Sequence, residues 1–131
     1  MNVMEIVAAE YNVDRSRIYI TGNSMGGNGT WLLGAKYAEK FAGMAPCANG
    51  TPATVADYPM DRLKGMPILA VVGTLDTGFL QPMRDSITKL KERGIEAQLV
   101  EVQGGTHSTA VEEMLPRIVE FFNTHQRKVS P

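Results

Sequence analysis

The chain has 131 residues and a formal net charge of −1, from 13 basic and 14 acidic side chains. That length suits one domain spanning residues 1–131, and a hydrophobic share of 44% argues against disorder. The near-neutral charge speaks against nucleic acid or an anionic membrane as a partner, the single cysteine, Cys47, excludes an intrachain disulfide framework, and no apolar run approaches the ~18 residues of a membrane span.

Residues 1–11 place Val3, Ile6, Val7 and Tyr11 at helical spacing, with Glu5 and Glu10 away from them, which predicts an amphipathic helix. The same segment has no basic stretch before an apolar one, so it does not read as a signal peptide, and the expected location is cytoplasmic. Residues 17–21 (RIYIT) are β-branched and aromatic and predict a strand, followed at once by the glycine-rich turn GNSMGG. Residues 25–39 suit a helix burying Trp31, Leu32, Ala35 and Ala38. Residues 41–47 predict a second strand. Residues 48–64 read as a loop with a helical turn near Met60–Lys64. Residues 67–73 (PILAVVG) form a continuous aliphatic run, as expected of a strand covered on both faces. Leu80, Met83, Ile87 and Leu90 mark a helix over 79–93 that Gly94 is placed to end. Residues 95–102 alternate as a strand. Val111, Met114, Leu115, Ile118, Val119 and Phe122 share one face of a helix over 109–123, which Pro116 is expected to split. The tail from Thr124 reads as frayed. Strands alternating with helices imply an α/β fold: a parallel sheet of four strands with helices on both faces.

Chemistry-bearing residues follow three of these strands, where functional groups of such sheets gather. After the first comes Gly22-Asn23-Ser24-Met25-Gly26, a G-x-S-x-G pentapeptide between strand and helix. The tight turn it forms projects a serine hydroxyl from the sheet, and Gly22 and Gly26 are expected to relieve crowding on either side. Met25 opens the next helix, so its backbone N–H can donate to a developing oxyanion. After PILAVVG comes Thr74-Leu75-Asp76, and after IEAQLVEV comes Gly104-Gly105-Thr106-His107. A serine hydroxyl needs a base, which His107 can be, and a carboxylate such as Asp76 would fix the imidazole tautomer. The order Ser24, Asp76, His107 is that of α/β-hydrolases.

Other residues read more simply. His125 lies in the terminal helix or tail and is expected to be exposed. Asp57 and Asp61 suit turns, Asp14 a turn or a pair with Arg17, and Cys47 apolar packing. Gly22 to Gly27 has the glycine spacing of a phosphate loop, but Asn28 stands at its lysine position, and the dinucleotide pattern is absent. No cofactor and no metal site are expected.

SMGG at 24–27, GTW at 29–31, PILAVVGTLD at 67–76 and GGTH at 104–107 resemble blocks of the α/β-hydrolase superfamily. More narrowly they are similar to small esterases and peptidases related to prolyl oligopeptidase, dienelactone hydrolase and polyhydroxybutyrate depolymerase. The resemblance covers the carboxyl half of that fold and implies Ser24 as nucleophile, His107 as base and Asp76 as orienting acid. Family members run to well over 200 residues, with strands before the elbow and a loop that supplies a further oxyanion donor. No counterpart of either is read in this chain, and Thr77-Gly78-Phe79 replaces the valine-rich stretch usual after the acid.

These residues lead to the expectation of a serine hydrolase cleaving small, short-chain carboxylic esters. Segment 48–64 and Thr77–Phe79 are expected to wall the pocket. The rivals are a peptidase of the same mechanism and a catalytically silent module. A first strand without an outer neighbour is an association template, so a homo-oligomer, a two-fold dimer foremost, is expected to cover that edge and complete the site.

Overall fold

The computed structural model describes residues 2–52 and 57–129. Helix α1 (Asn2–Glu10) leads to strand β1 (Tyr19–Asn23), helix α2 (Met25–Lys36) and strand β2 (Gly43–Cys47). Strand β3 (Leu69–Gly73), helix α3 (Leu80–Glu92), strand β4 (Gln98–Val102) and helix α4 (Thr109–Asn123) follow. Short 3₁₀ turns cover Ala38–Lys40 and Met60–Leu63, the second within the helical turn expected from the sequence. All pairings are parallel, in the order β1-β2-β3-β4, with Thr21 opposite Ala45, Cys47 opposite Val71 and Val71 opposite Val100.

This order follows from right-handed crossovers. Strands added in one direction keep their connecting helices on one face, and the helix after the last strand can return across the other. Trp31 of α2 and Met83 and Leu90 of α3 accordingly pack with Met44, Ala70 and Val72. Ala110, Met114, Ile118 and Phe121 of α4 pack with Ala45, Cys47, Leu69 and Val71. Adjacent residues of β3 enter opposite clusters, which is why its sequence is aliphatic throughout rather than alternating. Gly94, at φ 69°, ends α3 in the left-handed conformation expected of it.

Three expectations change. Helix α1 forms, but Val3, Ile6 and Tyr11 are 72%, 57% and 67% exposed, and only Met4 of this helix packs on the core. Its apolar stripe therefore has no cover among the described residues. Helix α4 is not split: Pro116 sits within it on the solvent side, where the carbonyl it leaves without an N–H partner can bond water. Its buried stripe is also turned toward Ala110 and Phe121, leaving Leu115 and Val119 half exposed. The tail is docked rather than frayed as far as Arg127. The Tyr19 hydroxyl donates to the His125 carbonyl, and the Arg127 N–H donates to the Ser16 carbonyl. His125 is half-buried, with its Nδ1 2.7 Å from the Phe121 carbonyl oxygen.

Candidate active site

Ser24 directly follows β1 and precedes α2, with φ 57° and ψ −115°. A non-glycine residue at positive φ is strained and persists only where its surroundings hold it. Here the Ser24 N–H donates to the Cys47 carbonyl at 3.0 Å. The Ser24 carbonyl accepts from the Asn49 amide at 3.0 Å and from the Asn28 N–H at 3.1 Å. Asn49 is itself fixed, because the indole N–H of fully buried Trp31 donates to its carbonyl at 2.9 Å. The elbow is thus tied to the end of β2 and to the interior of α2.

Crowding at the elbow differs from the expectation. A Cβ on Gly22 would lie 2.5 Å from the Gly26 carbonyl oxygen, so the first glycine is required. Gly26 has open space around it, and the tight position is Gly27, where a Cβ would lie 2.1 Å from the Cys47 carbonyl oxygen. At Gly27 the demand for glycine comes from the close approach of α2 to the end of β2, which a pentapeptide pattern does not encode.

Asp76 and His107 reach the serine by way of their loops. Strands β1 and β4 stand at opposite edges of the sheet, about 14 Å apart at three strand spacings, so the loop after β4 must fold back across the strand ends. It is stitched to the loop after β3: Thr74 N–H donates to the Val102 carbonyl and Leu75 N–H to the Gly105 carbonyl. Gly104 N–H adds a bond to the Thr74 hydroxyl at 2.9 Å. At the other side the Asn23 amide donates to the His107 carbonyl at 3.3 Å, linking the His loop to the residue before the serine.

The three side chains proposed from the sequence come together. His107 Nδ1 lies 2.7 Å from Asp76 Oδ2, and His107 Nε2 lies 2.7 Å from Ser24 Oγ. An ionised carboxylate can only accept, so the Nδ1–H donates to Asp76, and the neutral imidazole then presents the Nε2 lone pair to the serine hydroxyl. The Asp76 side chain is 6% exposed and that of His107 39%, so the acid is shielded while the base is open to solvent. Met25 is the first residue of α2, where a backbone N–H has no partner within the helix. Asn23 and Asn49 were not singled out in the sequence. Asn49 follows the end of β2, and a polar residue at a strand's carboxyl end is the one signal that points to it.

The rival groups lie elsewhere. Asp61 is exposed and pairs with Arg93 and Lys64. Asp14 accepts from the Ser16 N–H and hydroxyl, capping a turn. Burial pushes the Cys47 thiol up to about 11, which leaves it protonated and unreactive at neutral pH. Among the described residues no three His, Cys, Asp or Glu side chains are placed to hold a metal, and no helix is long and apolar enough to cross a membrane. Part of the segment expected to wall the pocket, residues 53–56, lies outside the described residues.

No family model matches the chain. It is 36% identical over 93 residues, 63% of its length, to a bifunctional acetylxylan esterase/xylanase of Neocallimastix patriciarum, and covers 13% of that protein. It is 40% identical over 48 residues, 37% of its length, to poly(3-hydroxyalkanoate) depolymerase C of Paucimonas lemoignei, and covers 12% of it. Among solved structures, a thermostable esterase superposes with a TM-score of 0.82 at 26% identity, over 96% of this chain and 35% of that one. The chain therefore spans only a fraction of the length of the proteins it matches. Serine hydrolases and peptidases also share the arrangement of strands and helices. With its four parallel strands in this order, the chain has the α/β-hydrolase fold over the part it shares with these esterases.

Proposed function

We propose that the chain is a serine hydrolase that cleaves short-chain carboxylic esters through an acyl-enzyme on Ser24. The observation that carries this reading is the imidazole of His107 held between Asp76 and Ser24, at 2.7 Å on each side. Ser24 Oγ attacks the acyl carbon while its proton passes to His107 Nε2, and Asp76 stabilises the imidazolium that forms. The Met25 N–H donates to the oxyanion. The tetrahedral intermediate collapses as His107 returns the proton to the leaving alcohol. Water then attacks the acyl-enzyme, gives its proton to Nε2, and the acid leaves as Ser24 recovers a proton.

Ester rather than amide substrates are favoured by the two curated relatives, one a bifunctional acetylxylan esterase/xylanase and the other a poly(3-hydroxyalkanoate) depolymerase. The test is covalent labelling by a fluorophosphonate, expected for the parent and lost in Ser24→Ala and His107→Ala. An unlabelled parent would leave a catalytically silent module as the better reading. Acetate and butyrate esters are expected to turn over faster than palmitate esters and matched amides, and equal rates on palmitate would contradict the short-chain preference.

A homodimer is the assembly we favour. β1 is an edge strand, and the chain also exposes apolar residues on α1 and, at Leu115 and Val119, on α4. Leu115 and Val119 lie on the same helical stripe as Phe122, whose ring stacks on Tyr19 of β1 at 4.6 Å. A second copy offers the same edge and the same stripes, and a net charge of −1 opposes its approach little. Light scattering is expected to give twice the monomer mass, falling toward the monomer value in Ile6→Glu. A monodisperse parent monomer would rule the dimer out.

A further inference from the structure

Phe79 belongs to the stretch after the acid that departs from the related sequences, and its ring lies on the imidazole of His107. The two rings stack with centroids 5.0 Å apart and planes 26° from parallel. The turn that carries Asp76 also carries Phe79, whose N–H donates to the Asp76 carbonyl at 3.1 Å. The Phe79 carbonyl accepts from the Met83 N–H at 3.0 Å, which fastens the residue to the start of α3. The ring is half-buried and packs on the cluster around Trp31 and Met83, so it has a support behind it.

The imidazole is thereby held at one edge by the Asp76 carboxylate and on one face by an aromatic ring. A hydrogen bond at Nδ1 fixes one atom of the imidazole but leaves its plane free to tilt. Tilting turns the Nε2 lone pair away from Ser24 Oγ, and with 39% of the side chain exposed, solvent alone does not prevent it. A flat partner on the face does, because tilting would drive the two rings into each other. The electron-rich face of the phenyl ring is also compatible with the positive charge that His107 acquires on taking the serine proton.

We propose that Phe79 is a positioning residue that fixes the plane of His107 and keeps Nε2 aimed at Ser24 Oγ, a role that rests on the reading of Ser24, Asp76 and His107 as a catalytic triad. The experiment compares Phe79→Leu and Phe79→Tyr with the parent in acetate-ester kinetics, melting temperature and the ring-proton NMR signals of histidine. His107 and His125 are the only two histidines, so their signals are separable, and loss of one pair in His107→Ala assigns them.

Phe79→Leu keeps apolar bulk but loses the flat face. It is expected to lower kcat about ten- to a hundredfold, as misplacement of a reacting group does, with KM changed less than about twofold. Its His107 ring protons are expected to move downfield as the ring current of the stack is lost, and Phe79→Tyr is expected to restore both kcat and the signals. A Phe79→Leu variant with parental kcat, a change confined to KM, or unmoved His107 signals would overturn the proposal. So would a loss of kcat that Phe79→Tyr shares while its melting temperature stays parental. A parent that neither turns over ester nor takes the fluorophosphonate would sink the triad reading instead, and the ring-proton shift would still decide whether Phe79 holds the imidazole.

Discussion

Ser24→Ala is expected to lower ester turnover by about 10⁶-fold, His107→Ala by a similar factor, and the double variant by no more than either single one. The reason is that the two groups act as a unit. The hydroxyl is a poor nucleophile until Nε2 takes its proton, and the imidazole has nothing to activate once the hydroxyl is gone. The 2.7 Å contact between Ser24 Oγ and His107 Nε2 is the physical link that makes the losses non-additive. Asp76→Asn is expected to cost about 10⁴-fold, because an amide can donate to Nδ1 and so favour the tautomer with its proton on Nε2. Initial rates on an acetate ester measure all four variants. Turnover surviving in Ser24→Ala, or losses that multiply in the double variant, would show that these residues do not share one proton transfer.

The second large effect is on stability. Gly27→Ala would bring a methyl group to 2.1 Å from the Cys47 carbonyl oxygen, and neither the rigidly attached methyl nor the backbone carbonyl can rotate away. Relief requires α2 to move off β2, yet Trp31 of the same helix is fully buried and its indole holds Asn49. Overpacking in cores costs typically 1–3 kcal/mol, and a clash with backbone that no rotamer change can relieve belongs at or above the top of that range. The variant is therefore expected to melt well below the parent or to fail to fold. Gly26→Ala, one residue earlier in open space, is expected to leave the melting temperature close to the parent's. Trp31 is the sole tryptophan, so its fluorescence reports unfolding at the elbow itself. Equal melting temperatures for the two variants would show that the approach of α2 to β2 is not tight.

Much of the site was legible because its chemistry is local in sequence. Ser24, Asp76 and His107 each follow a strand, and strand ends can be read from aliphatic runs bounded by turn residues. The parallel sheet was legible for a related reason: 67–73 is apolar at every position, which only a strand covered on both faces needs. Strand limits were less so. β1 runs over Tyr19–Asn23 rather than 17–21, because pairing with Gly43–Cys47 carries the strand into the glycine turn, where residue type gives no strand signal.

The sequence by itself determined the α/β class, the order of the elements and the three side chains of the candidate triad, since each depends on periodicity or on a residue beside a strand end. Tertiary structure alone decided how they meet. Two loops stitched by backbone hydrogen bonds carry His107 back across the strand ends, and backbone groups look alike in every sequence. It decided that Gly27 rather than Gly26 is the crowded glycine, because crowding depends on the distance between α2 and β2. It decided that α1 and part of α4 keep apolar stripes exposed, since periodicity reports which residues share a face but not whether anything covers it. And it placed Phe79 against His107, two residues 28 positions apart whose contact no local pattern records.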